Sequence, residues 1–171
     1  MVSPLGLGVE HNWSRIINGE SGIRQIDEFE ASDIASQVAG IVPKTDAENP
    51  APGMLNLNHF IEPKEQRKLD PFISYGLVAA QEAVEHSGWM PEDEEARTRT
   101  GVMIGSGIGG LQTLYDTALT LHEKGPRRVS PFALPAMLIN LVSGHVSIKY
   151  GFKGPNHATV TACATGTHAI G

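Results

Sequence analysis

The single cysteine of the chain lies in a segment whose residue types suit nucleophilic chemistry. The segment, residues 159–171, reads TVTACATGTHAIG, and Cys163 follows an alternating stretch, residues 157–162, that predicts a strand. A thiol on a sharp turn between a strand and a helix is held out of the sheet, and the unpaired N–H groups of the helix N-terminus favour its thiolate form. Its own backbone N–H can also stabilise an oxyanion, as in nucleophile elbows. The spacing therefore predicts a nucleophilic cysteine at this turn.

Two other interpretations of Cys163 fit the same residues. A lone cysteine is often a buried, inert small hydrophobe, and spacing alone does not separate this interpretation from the nucleophile. A redox-sensing cysteine, which would form a sulfenic acid or a mixed disulfide, is a third hypothesis. No histidine is a convincing catalytic partner. His168 lies five residues later, on another face of a helix, while His145 and His157 are expected in the core or in a supporting position.

A glycine-rich segment, GSGIGG at residues 105–110, lies between a predicted buried strand, residues 100–105, and an amphipathic helix predicted to begin at Leu111. It satisfies the G-x-G-x-x-G pattern of dinucleotide-binding turns, in which glycines let the backbone approach a pyrophosphate. That pattern also requires an acidic residue at the end of the next strand, about twenty residues on. This chain has the basic loop KGPRRVSP there instead. We therefore favour a tight turn packed against a neighbouring element, with a dinucleotide-binding module as the alternative.

Two groups of basic side chains stand out in a chain whose formal net charge is −6. The first comprises Lys64, Arg67 and Lys68, and the second comprises Arg127 and Arg128. Such residues are most often solvated surface charge, and they are too few for a nucleic-acid surface. The more specific interpretation is that they dock an acidic partner by electrostatic complementarity.

The composition limits the remaining function classes. A chain of 171 residues is about the size of one domain, and 40% hydrophobic with 19% charged residues excludes a disordered chain. One cysteine cannot form an intrachain disulfide, no apolar run is long enough to cross a membrane, and no secretory signal pattern opens the chain. These features predict a soluble, cytoplasmic protein that binds neither membrane nor nucleic acid.

The elements that must position these segments alternate between helices and short strands. Apolar residues at spacings of three and four predict a helix over residues 69–88, and a second, strongly apolar stripe predicts a helix over residues 135–150. A short helix around Trp13 and a strand over residues 38–42 are predicted in the N-terminal part, which is otherwise loop. This alternation predicts an α/β fold.

Together, the motifs resemble those of the β-ketoacyl-[acyl-carrier-protein] synthases, the type II condensing enzymes of bacterial fatty-acid synthesis. The resemblance covers almost the whole chain, and its last piece is the most specific. It implies the thiolase-like αβαβα fold, of which this chain would hold most of the N-terminal half only, and a homodimer in the intact enzyme. The matching pieces are MVSPLG at residues 1–6, KEQRKLDPF at 64–72, GSGIGG at 105–110, GPRRVSPF at 125–132 and TACATGTHAIG at 161–171.

The resemblance also implies roles for individual residues. Cys163 matches the nucleophile that accepts the acyl chain from acyl carrier protein, and its backbone N–H matches one oxyanion donor. Ile108 matches a residue that lines the acyl pocket near the dimer interface. The implied reaction needs no cofactor or metal, because the substrates are carried on the phosphopantetheine of the carrier protein. The basic positions that face the acidic carrier protein match Lys64, Arg67, Lys68, Arg127 and Arg128.

The implied reaction has three steps: acyl transfer to the thiol, decarboxylation of malonyl-carrier protein, and Claisen attack of the carbanion on the thioester. Two histidines, a lysine and the second oxyanion donor of the family's site would belong to a C-terminal half. We therefore interpret residues 1–171 as an N-terminal β-ketoacyl synthase domain truncated at both ends, lacking the first strand and the C-terminal half. We expect no condensation by this piece alone. A polyketide or nodulation-type condensing enzyme of the same fold is the alternative, since the sequence does not specify an acyl chain length.

Overall fold

The computed structural model describes all 171 residues, which form two compact units, Met1–Phe60 and Ile61–Gly171. Eight α-helices and six short strands alternate along the chain, so the predicted α/β class is confirmed. None of the helices has both the length and the apolar character needed to cross a bilayer.

The first unit contains one helix and two antiparallel strand pairs. Asn12 is buried on the helix and donates from Nδ2 to the carbonyl oxygens of Gly6 (2.9 Å) and Gly8 (2.7 Å), which fixes the helix against the first pair. The predicted helix near Trp13 is confirmed, but Trp13 itself is exposed. The predicted strand over residues 38–42 is confirmed as a shorter one. The elements are β1 (Val2–Ser3) paired with β2 (Gly6–Leu7), α1 (Val9–Ile17), and β3 (Ile23–Gln25) paired with β4 (Val38–Gly40).

The second unit contains the remaining elements and every residue of the candidate site. Its two strands are parallel neighbours, with Val102 opposite Asn156 and Met103 opposite His157. In chain order the elements are α2 (Pro63–Gln66), α3 (Pro71–Ser87), α4 (Glu94–Arg99), β5 (Val102–Met103), α5 (Leu111–Lys124), α6 (Ala133–Met137), α7 (Leu141–Tyr150), β6 (Asn156–His157) and α8 (Thr165–Ile170).

The core of the second unit lies where α3 and α7 pack on β5. The predicted stripe on α3 is confirmed, since Ile73 is fully buried and Leu77 nearly so. Pro71 occupies the first turn, where its missing N–H costs nothing, and Gly88 ends the helix in the left-handed conformation at φ 64°. The core residues are Ile73, Leu77, Val102, Val142, Val146 and Phe152.

The single helix predicted over residues 135–150 is wrong, because the chain breaks between α6 and α7. Leu138 is extended, with ψ 132°, and the preceding carbonyl oxygen of Met137 accepts a hydrogen bond from the N–H of Gly110 at 3.0 Å. The backbone at the break therefore hydrogen-bonds to the glycine-rich segment. This long-range contact prevents the single helix that the continuous apolar stripe predicts. Gly151 ends α7 with φ 68°, as predicted.

The predicted strand over residues 100–105 is confirmed only at Val102 and Met103. The one predicted over residues 157–162 is wrong beyond His157, because β6 is Asn156–His157. Asn156 anchors β6 to α7, because its Nδ2 donates to the carbonyl oxygen of Ser143 at 2.9 Å and its Oδ1 accepts from the Ser143 hydroxyl at 2.8 Å. After His157 the chain leaves the ladder and enters the turn that carries Cys163. Most of the alternating residues therefore lie outside the strand, in the segment that leads to this turn.

Candidate active site

Cys163 lies on a tight turn between the end of the sheet and a helix. It is the middle residue of a 3-10 turn, Ala162–Ala164, which runs directly into α8. Its side chain is exposed, so the interpretation as a buried, inert hydrophobe is wrong. Ala162, immediately before it, has φ 49° and is the only residue other than glycine with a positive φ. The backbone is therefore in a disfavoured conformation next to the thiol.

A buried threonine holds this turn closed. The hydroxyl of Thr165 donates to the carbonyl oxygen of Ala162 at 2.7 Å and accepts from the N–H of Thr161 at 2.9 Å. Thr165 is 4% exposed, so water does not compete for these bonds. The turn is thus fixed by a side chain two residues beyond the cysteine.

The glycine-rich segment packs directly against the same turn. A Cβ on Gly105 would lie 2.3 Å from the carbonyl oxygen of Thr159 and 2.4 Å from Cγ2 of Thr165. A Cβ on Gly107 would lie 3.1 Å from the carbonyl oxygen of Ala162. The interpretation as a tight turn against a neighbouring element is therefore confirmed. The next strand after this segment is β6, beyond three helices, so the strand order of a dinucleotide-binding motif is not present.

An open pocket of about 400 Å³ lies in front of the thiol, lined by Ser106, Gly107, Ile108, Ala162 and Cys163. Ile108 is 70% exposed and also borders a second, apolar depression of about 370 Å³. An apolar chain attached to the thiol would therefore meet apolar surface at Ile108. The remaining residues of the second depression are Gly110, Leu111, Leu114, Met137, Leu138 and Ile139.

One of the five basic side chains forms an ion pair, and the other four do not. Lys68 pairs with Glu65, with 2.8 Å between Nζ and Oε1, and its Nζ lies 5.2 Å from the ring centre of Phe132. Because Phe132 follows the second basic group, this contact brings the two groups onto neighbouring parts of the surface. The exposed residues that form no ion pair are Lys64, Arg67, Arg127 and Arg128.

No histidine contacts Cys163. His168 Nδ1 lies 3.3 Å from the hydroxyl oxygen of Thr161. His157 was expected in the core or in a supporting position, and its exposure excludes the core. His145 is half-buried on α7, and burial lowers its pKa, partly offset by the nearby carboxylate of Glu65. No cluster of His, Cys, Asp or Glu side chains has the arrangement of metal ligands. The expectation that the reaction uses no cofactor stays a prediction.

The sequence matches the family model for the β-ketoacyl synthase N-terminal domain over residues 1–171. The chain belongs to the β-ketoacyl synthase family. It is 50% identical over 171 residues to 3-oxoacyl-[acyl-carrier-protein] synthase 2 of Rhizobium meliloti (strain 1021), covering 100% of this chain and 40% of that protein. It is 44% identical over 185 residues to the mitochondrial 3-oxoacyl-[acyl-carrier-protein] synthase of Arabidopsis thaliana, covering 100% of this chain and 39% of that protein. The chain thus spans about two fifths of the length of these relatives.

Solved ketosynthase structures confirm the thiolase-like fold class. The ishigamide ketosynthase/chain length factor superposes with a TM-score of 0.76 at 22% identity, covering 99% of this chain and 44% of that one. A type II polyketide synthase acyl-carrier protein in complex with its ketosynthase gives a TM-score of 0.60 at 27% identity, covering 68% of this chain and 33% of that one. The chain therefore shares its fold with these ketosynthase structures.

Two residues of this β-ketoacyl synthase domain escaped the sequence reasoning. Asp70 is 4% exposed and caps two helices: one oxygen accepts from the N–H of Phe72 in α3 at 3.2 Å, and the other accepts from Thr113 in α5, from N at 3.0 Å and Oγ1 at 2.8 Å. Its place before Pro71 is a recognisable N-cap signal, but only for α3. Thr165 gave no signal, because a threonine near a helix start has many ordinary roles.

Proposed function

We propose that the chain carries the acyl-accepting part of a 3-oxoacyl-[acyl-carrier-protein] synthase, with Cys163 as the nucleophile. The observation that carries this proposal is the exposed thiol on a tight turn, in a pocket bordered by the apolar side chain of Ile108. Relatives at 50% and 44% identity that bear this enzyme's name support it. The redox-sensor hypothesis lacks such support.

The step that we assign to Cys163 is an exchange between two thioesters. Its thiolate attacks the carbonyl carbon of an acyl group carried on the phosphopantetheine of acyl carrier protein, and a tetrahedral oxyanion forms. The bond from that carbon to the phosphopantetheine sulfur then breaks, and the sulfur leaves as a thiolate that takes a proton. We assign one oxyanion hydrogen bond to the backbone N–H of Cys163. Ile108 would contact the acyl chain that remains.

The condensation that follows consumes this acyl-enzyme. Malonyl-carrier protein loses CO₂, and the electron pair left on its α-carbon attacks the carbonyl carbon of the Cys163 thioester. The carbon–sulfur bond breaks, the Cys163 thiolate returns, and 3-oxoacyl-carrier protein is released. Because no histidine of the chain contacts Cys163, we assign the decarboxylation to groups outside these residues.

The acidic partner in this proposal is acyl carrier protein. The four exposed basic side chains that form no ion pair support it, as does the polyketide ketosynthase that was solved in complex with an acyl-carrier protein. We also propose that the intact enzyme is a homodimer. Its support is the row of exposed apolar side chains beside Ile108 that a second copy could cover. The cytoplasmic location stays a prediction.

The polyketide alternative has weaker support. The polyketide ketosynthase is 27% identical to this chain, whereas relatives named 3-oxoacyl-[acyl-carrier-protein] synthase 2 are 41–50% identical. We therefore propose simple fatty acyl groups as substrates. Comparing saturated acyl-carrier proteins with poly-β-ketoacyl analogues in the acylation assay would separate the two.

The proposal is tested by the mass of the complete protein that contains this domain. After incubation with acyl-carrier protein, we expect the mass to rise by one acyl group, located on the peptide that contains Cys163. Cys163→Ser should abolish the gain at this position while leaving the thermal midpoint close to wild type, because the side chain is exposed. A folded wild-type protein that gains no acyl group, or gains it elsewhere, would contradict the proposal.

A further inference from the structure

The two hydrogen bonds of the Thr165 hydroxyl surround the strained residue before the cysteine. One fixes the N–H of Thr161, on the N-terminal side of Ala162, and the other fixes the carbonyl oxygen of Ala162 itself. Ala162 has φ 49°, a conformation that an L residue adopts only when its surroundings impose it. The Thr165 hydroxyl hydrogen-bonds to the backbone at this residue and at the one before it.

The bond to the carbonyl oxygen also determines where the backbone N–H of Cys163 points. The oxygen of Ala162 and the nitrogen of Cys163 belong to one planar peptide group, in which O and N–H point in opposite directions. Holding the oxygen at 2.7 Å from the Thr165 hydroxyl therefore fixes the direction of the Cys163 N–H. This is the N–H that the proposed function assigns to the oxyanion.

The methyl group of Thr165 holds the turn from its other side. Cγ2 lies so close to Gly105 that a Cβ there would come within 2.4 Å of it. The hydroxyl faces the turn while the methyl faces the glycine-rich segment, so contacts hold the side chain on both sides. At 4% exposure, this orientation is not disturbed by solvent.

We propose that Thr165 is a positioning residue, whose hydroxyl orients the peptide between Ala162 and Cys163 so that its N–H can donate to the oxyanion. The inference rests on the proposed function of Cys163 as an acyl acceptor. It predicts a defect confined to steps that build negative charge on an acyl oxygen. A simple displacement at the same sulfur builds no such charge and should be affected much less.

The test compares two isolated changes in the complete protein that contains this domain. Thr165→Val removes the hydroxyl and keeps the side-chain shape, whereas Thr165→Ser keeps the hydroxyl and removes the methyl. For each variant, the rate of acylation of Cys163 by acyl-carrier protein is measured beside its rate of alkylation by iodoacetamide. We expect Thr165→Val to slow acylation roughly tenfold to a hundredfold and alkylation by less than about threefold. Thr165→Ser should acylate within about threefold of wild type.

Different failures separate the two proposals. If wild type and Thr165→Val are acylated at Cys163 at the same rate, the positioning role is overturned. Equal losses of acylation and alkylation also overturn it, because they indicate a general disturbance of the turn. A wild-type protein that is not acylated at Cys163 contradicts the proposed function itself.

A second pair of variants covers the case in which Thr165→Val does not fold. Glycine adopts a positive φ without strain, so Ala162→Gly in the Thr165→Val background should restore folding. Compared with Ala162→Gly alone, the double variant should still acylate roughly tenfold more slowly, because the peptide orientation is not restored. Equal acylation rates in these two proteins would overturn the inference.

Discussion

Positions 105 and 107 have no room for a side chain, because the residues of the Cys163 turn fill the space that a Cβ would need. At Gly105 a Cβ would overlap the carbonyl oxygen of Thr159 at 2.3 Å, and at Gly107 it would press on Ala162 at 3.1 Å. Gly144 on α7 differs, because nothing lies within 4 Å of its missing Cβ. The glycine-rich motif therefore marks a contact with the turn that carries Cys163.

His145 makes the stability of the domain depend on pH. Burial lowers its pKa from the ordinary value of 6.5, while Glu65 opposes the shift without cancelling it. The unfolded chain therefore binds a proton at a higher pH than the folded chain does, and stability falls as the pH drops through about 6.5. Urea unfolding at about pH 7.5 and about pH 5.5 should show a lower midpoint at the acidic pH.

His145→Gln is the control for this effect, because glutamine does not titrate. Between about pH 7.5 and about pH 5.5, the urea midpoint of the variant should fall less than that of wild type. This holds whatever the stability of the variant at about pH 7.5. A variant with the same pH dependence as wild type would assign the effect to other groups.

At the scale of elements, Asp70 joins two helices that are far apart in sequence. One carboxylate oxygen caps the first turn of α3 and the other caps the first turn of α5, which begins where the glycine segment ends. Asp70→Ala should lower the free energy of unfolding by about 2–4 kcal/mol, because it removes a cap from each helix and leaves the partly buried N–H groups of Phe72 and Thr113 unpaired. Denaturant unfolding measures this loss.

Asp93→Ala is the matched control for the helix caps. Asp93 caps only α4, accepting from the N–H of Ala96 at 2.8 Å on an exposed surface. Its removal should cost about 1 kcal/mol, the ordinary value for one N-cap. If Asp70→Ala and Asp93→Ala lower the free energy of unfolding by similar amounts, Asp70 stabilises only one helix.

Local patterns predicted the elements that depend on local chemistry. The helix from Pro71 to Ser87 followed from its stripe, its proline and its terminal glycine. A turn at Cys163 was predicted as well, but the spacing did not separate an exposed thiol from a buried one. The break after Met137 could not be predicted, because it is imposed by the N–H of Gly110 from a distant part of the chain. The second cap made by Asp70 is long-range in the same way.

At the scale of the whole molecule, the distribution of charge matters more than its total. The net charge of −6 is unfavourable for an acidic partner. Within the two basic groups, however, the exposed residues that form no ion pair are Lys64, Arg67, Arg127 and Arg128. Their field therefore reaches solvent on one part of the surface, and a partner that approaches there meets positive charge. Lys68 contributes less, because Glu65 lies 2.8 Å from its Nζ.

Charge reversal at Arg127 and Arg128 tests this surface in the complete protein. The double change to glutamate should raise the KM for acyl-carrier protein roughly tenfold at low salt and leave the rate at saturation nearly unchanged, because steering acts before the chemistry. The difference should shrink as salt screens the interaction. Arg99→Glu is the control, since Arg99 is an exposed arginine on α4 outside both basic groups. If Arg99→Glu raises the KM as much as the double change does, carrier protein is attracted by the net charge of the molecule and not by the surface around Arg127 and Arg128.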